Sequence, residues 1–301
     1  MLFHHFLHTN FIGACIFLLA CSAWASEKPS SCEPSAQNIP PRSVNARGAS
    51  AFVGALARMS ESERDQAIRS ELLAGNLPEF LRNVKPVALN GRLPDGESAR
   101  LTLCVMADYL SIGSSDDFVL IPMGLNTALT VAAQMGFTLP TRRMVDLIYR
   151  HSPVHMTPQP LPAGVAMRST DYYRRHNALV GEQRAMMGAA LDELTAGHKK
   201  DLVLSPLLWT QPGRVAIYGW HRTADSPIQP LSTVHGAGYA DYSHGIRLIS
   251  TTVFVNGAPR SIFEVLADPQ LAPLLSDEGT LPELAEWICK KVRTARTESG
   301  T

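Results

Sequence analysis

The sequence has 301 residues, of which 45% are hydrophobic and 18% are charged, and its formal net charge at pH 7 is zero. This balance is that of a globular protein with a hydrophobic core, and the length suits one large domain or two small ones. Zero net charge argues against nucleic-acid binding and against electrostatic docking to an anionic membrane, because both need a basic surface.

The N-terminus has the pattern of an export signal. An apolar run at residues 11–20 is too short to span a bilayer and is typical of the core of a signal peptide. The Ala-Trp-Ala sequence at 23–25 is a cleavage pattern that predicts a mature chain beginning at Ser26. Because residues 18–21 also resemble a bacterial lipobox, a lipid anchor at Cys21 is the alternative. Both interpretations predict a periplasmic or secreted protein without a transmembrane span after processing.

The next part of the chain is predicted to be mainly helical. Residues 26–47 are rich in Ser and Pro, which predicts a linker or an arm laid over the domain. A helix is predicted from Ala49, where apolar residues recur at the spacing of one helix face. Ser60 and Glu63 form a capping-box pattern that begins a second helix, and a short third helix is predicted at 77–82.

Strands and helices then alternate. Strands are predicted at 84–89 and 100–106, on either side of a turn-rich connection, and β character continues at 117–123. Helices are predicted at 125–135 and 139–149. Three polar residues of the second of these helices are expected to face solvent: Arg142, Arg143 and Asp146.

A proline-rich segment precedes the longest predicted helix. His151 and His155 have a spacing that would suit a metal site on a helix, but Pro153 between them favours a rigid loop instead. A helix is predicted over 172–196, with Gly197 as its C-cap. Its core face is predicted to contain Met186, Met187, Ala190 and Leu194.

From Asp201 the hydrophobic period becomes that of strands. Three strands are predicted at 202–206, 214–220 and 245–255, and an Asn256-Gly257 turn closes a hairpin after the last one. Helices at 262–266 and 281–293 complete the chain.

This order of elements predicts a single α+β domain, in which N-terminal helices precede a mixed or antiparallel sheet flanked by helices. The predicted organisation is a signal peptide at 1–25, a linker or arm at 26–47 and one globular domain at 48–297.

Three cysteines lie beyond the predicted leader: Cys32, Cys104 and Cys289. In an oxidising compartment two of them can pair. Cys104 lies in an apolar predicted strand and is expected to be a buried free thiol. A disulfide between Cys32 and Cys289 is therefore the predicted pairing. The sequence has no CxxC motif, so it supports neither a thiolate zinc site nor a thioredoxin-like redox pair.

The segment from His198 to Ile249 concentrates the residues that carry chemistry. It contains four histidines among tyrosines, glycines and charged residues: His198, His221, His235 and His244. His198 follows a predicted glycine cap and is either a general base steered by a carboxylate or a cation at a helix C-terminus. His221 ends an apolar strand and is expected to project into the rim where functional sites collect.

The glycine-rich stretch around His244 has the most specific pattern. If a strand begins there, Tyr242 and His244 share one face and Ser243 lies on the other. Ser243 and His244 are therefore not expected to form a nucleophile–base pair. Any base for Ser243 would be His221 or His198.

Two resemblances bear on this segment. The combination of HKKD, VAIYGWH, PIQPL and DYSHGIRLI resembles a group of secreted bacterial proteins of uncharacterised function over residues 84–275. That resemblance implies a common fold. Locally, residues 243–247 resemble the L,D-transpeptidase signature Ser-His-Gly-Cys-Ile-Arg, with His221 in the place of its upstream histidine. The nucleophilic cysteine of that signature is absent between Gly245 and Ile246, so the resemblance does not imply thiolate acyl transfer.

Three functions are compatible with these patterns. The favoured one is an exported hydrolase or transferase that acts on a cell-envelope polymer, peptidoglycan or polysaccharide, without a cofactor. The alternatives are a metal-dependent hydrolase, for which Zn²⁺ is the most suitable ion, and a non-catalytic envelope-binding protein. The predicted catalytic residues are His221, His244, Asp241, Ser243, Arg247 and His198. The predicted substrate-stacking residues are Tyr218, Trp220, Tyr239 and Tyr242. The zinc ligands of the second hypothesis are His221, His235, Asp241 and His244.

Overall fold

The computed structural model describes residues 32–297 and has the α+β architecture that the sequence predicts. Its α-helices are α1 (Ala49–Leu56), α2 (Glu61–Leu73), α3 (Leu125–Gln134), α4 (Arg142–His151), α5 (Thr170–Met187), α6 (Leu207–Thr210), α7 (Ile262–Ala267), α8 (Ala272–Leu275) and α9 (Leu284–Thr297). Short 3₁₀ helices lie at Glu33–Ala36, Glu79–Arg82 and Val165–Arg168.

The strands are short. They are β1 (Lys85–Arg92), β2 (Ser98–Val105), β3 (Ser111–Gly113), β4 (Phe118–Leu120), β5 (Phe137–Thr138), β6 (Val154–His155), β7 (Thr195–Ala196), β8 (Lys200–Leu202), β9 (Ile217–His221), β10 (Pro227–Ser232), β11 (His244–Gly245), β12 (Ile249–Ser250), β13 (Thr252–Val255) and β14 (Ala258–Ser261).

The N-terminal helices follow the local sequence signals. Ser60 caps α2 with the predicted capping box, in which its hydroxyl accepts from the backbone of Glu63 and the Glu63 carboxylate accepts from the backbone of Ser60. This arrangement satisfies two backbone N–H groups that a helix N-terminus leaves without partners. The predicted leader at 1–25, with Cys21, lies outside the described residues.

A six-stranded sheet occupies the centre of the core. Its strands run in the order β14-β13-β2-β12-β5, with β1 also paired to β2, and every pairing in it is antiparallel. The Asn256-Gly257 turn joins β13 to β14, and both of its residues have positive φ, as the predicted hairpin requires. The single strand predicted over 245–255 is instead three strands, β11, β12 and β13, because the chain turns between two sheets there.

The disulfide pairing differs from the prediction. Cys32 is bonded to Cys104, and Cys289 is a free, exposed cysteine on α9. Cys104 lies on β2 in the core. Its apolar sequence neighbours indicate that it is buried, but they do not indicate whether its thiol is free. The side chains of Cys32 and Ile39 are both buried in the hydrophobic core.

Helix α5 is shorter than predicted. It ends at Gly188, which has the left-handed conformation of a C-cap with φ 64°, and not at Gly197. Met186 and Met187 were expected in the core but are 81% and 47% exposed. The buried face of the helix instead contains mostly polar and aromatic residues: Thr170, Tyr172, Tyr173, His176, Val180 and Arg184.

Within residues 32–297, no helix is both long and apolar enough to span a membrane.

Candidate functional site

A second, four-stranded sheet brings the histidine-rich segments together. Its strands run in the order β10-β9-β8-β11, so β8 lies between β9 and β11. Lys200 on β8 lies opposite Gly219 in the antiparallel pair with β9 and opposite His244 in the parallel pair with β11. Three segments that are distant in the sequence therefore become neighbours in this sheet.

Two glycines allow this close packing. A Cβ atom on Gly245 would lie 2.6 Å from Cδ1 of Tyr109 and 2.7 Å from Cβ of Lys199, so no larger residue fits without a shift. Gly219 has φ 105°, and Trp220 after it has φ 58°. Positive φ is a genuine outlier for a bulky residue, so the end of β9 carries backbone strain of the kind that collects at functional sites.

The residues on one side of this sheet form a group that we call the His244 cluster: Lys200, Trp220, His235, Tyr239, Asp241 and His244. Nε2 of His244 lies 3.9 Å from Oδ2 of Asp241. The Tyr239 hydroxyl donates to the same oxygen over 3.1 Å. The rings of Tyr239 and His235 are stacked with centroids 3.9 Å apart, and the centroid of the His244 ring lies 5.6 Å from that of Tyr239.

Asp241 is held firmly as a carboxylate. Its Oδ1 accepts hydrogen bonds from the backbone N–H of Ser243 over 2.8 Å and from the Ser243 hydroxyl over 2.6 Å. Burial alone would raise the pKa of Asp241, but the neighbouring His244 and the hydrogen bonds from Ser243 lower it below its ordinary value. The buried Ser243 hydroxyl is therefore committed to Asp241 and forms no hydrogen bond with His244, His221 or His198.

His244 is the side chain in this cluster whose hydrogen bonding is least satisfied. It is 1% exposed, and burial lowers its pKa to about 4 although Asp241 opposes that change, so the imidazole is neutral at pH 7. Among residues 32–297, neither ring nitrogen has a hydrogen-bond partner, and the buried Nε1 of Trp220 has none either. Buried polar atoms in native proteins are nearly always paired. Among the described residues, His176, His198 and Trp209 also have unpaired buried nitrogens, and the His244 cluster contains three such atoms.

A cavity of about 500 Å³ adjoins this cluster at Tyr239. Helix α2 contributes Glu61 and Asp65 to its lining, the first turn of α3 contributes Asn126, and Arg168 lies over the Tyr239 ring with its guanidinium carbon 5.2 Å from the centroid. The volume is within the range of small-molecule sites, about 300–1,000 Å³. The cavity therefore provides room for a ligand next to the stacked pair of His235 and Tyr239.

A second group, which we call the His221 cluster, comprises Asp146, Tyr149, Asp201, Tyr218 and His221. Nε2 of His221 lies 3.0 Å from Oδ1 of Asp146, and the Tyr218 hydroxyl donates to the same oxygen over 2.9 Å. The His221 ring stacks on Tyr149 with a centroid distance of 4.7 Å. His221 is 2% exposed and its Nε2 is paired, so this cluster has the character of an internal polar network.

Asp201 extends the His221 cluster toward Tyr109. The Tyr109 hydroxyl donates to Oδ2 of Asp201 over 2.8 Å. Burial raises the pKa of Asp201 to about 7, against the opposing effects of the Arg247 cation and the Tyr109 hydroxyl. Lys200 and Asp201 are consecutive residues of β8, and consecutive strand residues point to opposite faces. This alternation separates the two clusters.

Two predicted catalytic residues are buried in the protein interior and belong to neither cluster. His198 is fully buried, with Nε2 3.1 Å from Oδ1 of Asp108 but without the alignment of a hydrogen bond. Arg247 is also fully buried. It donates to the carbonyl of Met106 over 3.0 Å and to that of Thr195 over 2.5 Å, and its guanidinium carbon lies 4.1 Å from the Tyr109 ring centroid. Arg247 therefore links the segments that contain Met106 and Thr195.

Two of the four predicted stacking residues are also used internally. Tyr242 packs against Tyr172 and His176, with centroid distances of 5.6 Å and 5.0 Å, and its hydroxyl accepts from the backbone N–H of Leu161. Tyr218 is bonded to Asp146. Tyr239 and Trp220 are the predicted stacking residues that the structure places in the His244 cluster.

The four predicted zinc ligands do not share one site. His235, Asp241 and His244 belong to the His244 cluster, whereas His221 is bonded to Asp146 in the other cluster. In the described part of the chain, no group of three or more His, Cys, Asp or Glu side chains has an arrangement that would hold a metal ion. A zinc requirement stays a prediction.

Four residues of the two clusters are not among the predicted site residues: Asp146, Tyr149, Lys200 and Asp201. Asp146 was expected to face solvent, because it lies one turn after Arg142 on a polar stretch of helix, and no local pattern shows that β9 packs there. Lys200 and Asp201 carry a usable signal. They directly precede an apolar strand, so alternation directs one of them to each face of the sheet.

Comparison with known proteins identifies no relative. No family model matches the chain, and no curated protein or solved structure shows significant similarity to it. The resemblances to secreted bacterial proteins and to the L,D-transpeptidase signature therefore stay predictions, and the function has to be argued from the chemistry of the two clusters.

Proposed function

We propose that the protein is an exported hydrolase or transferase that acts on a polymer of the bacterial cell envelope, peptidoglycan or polysaccharide, with His244 as its general base. The observation that carries this proposal is a neutral, buried imidazole with two unpaired nitrogens beside an ionised Asp241. A general base needs a free lone pair and a means of stabilising the positive charge that it acquires. His244 has the first, and Asp241 supplies the second.

The proposed reaction is a proton-coupled attack. A ring nitrogen of His244 accepts a proton from a water molecule as the water oxygen forms a bond to the electrophilic carbon of the polymer. The imidazolium then returns that proton to the leaving oxygen or nitrogen as the old bond breaks. In a transferase, the hydroxyl or amine of an acceptor chain takes the place of water. Asp241 keeps its negative charge throughout and stabilises the imidazolium.

The surroundings of His244 fit a polymer better than a small solute. Tyr239 and His235 form a stacked aromatic pair next to His244, and Tyr239 is also a wall of the 500 Å³ cavity. Aromatic faces beside polar groups are suited to sugar rings and to peptide planes. Carboxylates, amides and guanidinium groups in the cavity supply hydrogen-bonding partners for such a substrate.

Two observations support export: the N-terminal sequence pattern and the disulfide. The apolar run and the Ala-Trp-Ala sequence at 23–25 form the pattern of a signal peptide. The bond between Cys32 and Cys104 suits an oxidising compartment, because disulfides persist there and are rare in the bacterial cytosol.

A turnover panel tests the proposal. The purified protein is incubated with muropeptides and envelope polysaccharides, with and without a chelator, and products are measured by mass spectrometry. We expect product in both conditions. We also expect His244→Gln to lower turnover by about 10²-fold or more, which is the usual contribution of a general base. The control is His151→Gln, an exposed histidine outside both clusters.

The panel also separates the alternatives. Polymer binding without any product would favour the non-catalytic envelope-binding protein and contradict the proposal. Product that disappears with chelator and returns with Zn²⁺ would favour the metal-dependent hydrolase. The pH profile is a further check: a base must be unprotonated to act, so kcat/KM should stay high down to about pH 5 and fall as the pH drops through about 4, the pKa of His244.

A further inference from the structure

Lys200 is a cation without a direct ion pair in the described part of the chain. Its ammonium lies 4.9 Å from the centroid of the Trp220 ring, and across residues 32–297 it forms no ion pair with any carboxylate. The side chain is half-buried on β8 directly opposite His244. A cation in such a position loses part of its hydration, and an anionic partner would restore the lost interactions.

Asp241 is a carboxylate whose charge acts on Lys200, but the two side chains form no direct ion pair. Asp241 accepts from the backbone N–H and the hydroxyl of Ser243 and from the Tyr239 hydroxyl. These three donors hold the carboxylate in place, and His244 lies beside Oδ2. Among residues 32–297 no carboxylate contacts the Lys200 ammonium directly, so an anion from outside the chain can form that contact.

Trp220 provides a second donor to such a group. Its side chain is 6% exposed, and its buried Nε1 has no hydrogen-bond partner among the described residues. An indole N–H can only donate, so its partner must be an acceptor. The strained φ of 58° at Trp220 holds the indole next to Lys200, at a cost that a binding function explains.

We propose that Lys200 and the indole N–H of Trp220 bind an anionic substituent of the substrate, a carboxylate or a phosphodiester, beside His244. This inference rests on the proposed function, which supplies the class of polymer. It adds that the polymer carries a negatively charged group near the bond that reacts. The anion accepts a charge-assisted hydrogen bond from Lys200 and one from Trp220, and it thereby fixes the position of the neighbouring bond relative to the imidazole.

Indole N–H resonances test the site directly. The ¹⁵N-labelled protein is titrated with acetate, with dimethyl phosphate and with neutral acetamide, and the Trp220 signal is assigned by its loss in Trp220→Phe. We expect saturable movement of the Trp220 signal with an anion and none with acetamide. The signals of Trp209 and Trp287, whose rings contact each other away from the cluster, should not move and serve as internal controls.

Charge variants sharpen the test. Lys200→Gln should weaken anion binding at least tenfold, and Lys200→Arg should retain it. The matched control is Lys291→Gln, because Lys291 also lies over a tryptophan, with its ammonium 5.6 Å from the Trp287 centroid on α9. Unchanged Trp209 and Trp287 signals in each variant report that it has folded.

Each outcome bears on the proposal. A response to acetate alone assigns a carboxylate, a response to dimethyl phosphate alone assigns a phosphodiester, and a response to both supports a shared anion site. No response to either, or an equal response to acetamide, overturns it. A protein that binds an anion but cleaves no polymer contradicts the proposed function alone, whereas cleavage without a Trp220 response contradicts this inference alone.

Discussion

The two clusters on either side of the four-stranded sheet contain the same kinds of residues but differ in how completely they are bonded. In the His221 cluster, Asp146 accepts from Tyr218 and lies 3.0 Å from Nε2 of His221. In the His244 cluster, both nitrogens of His244 and the Nε1 of Trp220 lack hydrogen-bond partners in the part of the chain that the structure describes. Under the proposed function, His221 belongs to the scaffold, whereas His244, which lies beside the Tyr239 ring at the cavity, is the histidine that meets the substrate.

This difference separates two roles that sequence patterns alone assign to the same residues. His221 and His244 both follow apolar or glycine-rich strands and both lie near carboxylates, so they looked equivalent. Their neighbours distinguish them: an aspartate from α4 pairs with His221, whereas the carboxylate beside His244 is already bonded to Ser243 and Tyr239. The predictions below test that contrast, from the largest expected effect to the smallest.

The largest effect is expected for Asp201→Asn in the His221 cluster. The pKa of Asp201 is raised from 3.8 to about 7, so the folded protein keeps a proton that the unfolded chain releases. The stability from that proton is complete below about pH 4 and is lost as the pH rises through about 7. The wild type loses this stability between pH 4 and pH 8, and the variant does not. The unfolding free energy of the variant minus that of the wild type should therefore be about 4 kcal/mol larger at pH 8 than at pH 4.

Denaturant titrations at several pH values measure this difference, and Asp225→Asn in an exposed loop is the control. Taking the difference between variant and wild type cancels the titration of all other groups. A difference that stays constant from pH 4 to pH 8 would show that Asp201 does not carry a raised pKa.

The next effect concerns the close packing of Gly245 on β11 against Tyr109. A Cβ on Gly245 would lie 2.6 Å from the Tyr109 ring, and the backbone of β11 holds both clusters in register. Gly245→Ala should destabilise the protein by about 3 kcal/mol, because overpacking forces neighbouring groups to shift. Gly238→Ala is the matched control, since a Cβ there has no heavy atom within 4 Å. Equal melting temperatures for these two variants would contradict the packing described at β11.

A smaller effect distinguishes the histidines by stability. His221→Leu leaves Asp146 with one partner fewer and should cost about 1–3 kcal/mol, which lowers the melting temperature by several degrees. His244→Leu removes two unpaired polar atoms and replaces them with an apolar side chain of similar size, so the melting temperature should stay the same or rise. Calorimetry of both variants measures this. A loss of stability in His244→Leu as large as that in His221→Leu would mean that His244 is a satisfied core histidine.

Much of the fold could be predicted because the signals are local. The capping box of Ser60 and Glu63 and the turn at Asn256-Gly257 each depend on a few consecutive residues, and both predictions are confirmed. The end of α5 was wrong because Gly188 and Gly197 both have positive φ, and spacing alone does not show which one caps the helix. The disulfide was wrong because the path of the arm from Cys32 is a tertiary feature.

In the candidate site too, contacts between residues close in the sequence could be predicted, and contacts between distant residues could not. Tyr239, Asp241 and His244 lie within six residues, so their proximity could be predicted from the sequence. The partner of His221 could not, because Asp146 comes from a helix 75 residues earlier and looked solvated. The role of Lys200 depends on which face of β8 it occupies, and that is decided by the pairing with β9 and β11.

The measurement that tests the contrast most directly is the turnover of His244→Leu beside that of His221→Leu, on the polymer that the wild type cleaves and at a temperature where both variants are folded. We predict that His244→Leu loses about 10²-fold or more of its turnover, as expected for removal of a general base, while His221→Leu stays within about tenfold of the wild type. Wild-type turnover in His244→Leu, or a larger loss in His221→Leu, would contradict the assignment of the active site to the His244 cluster.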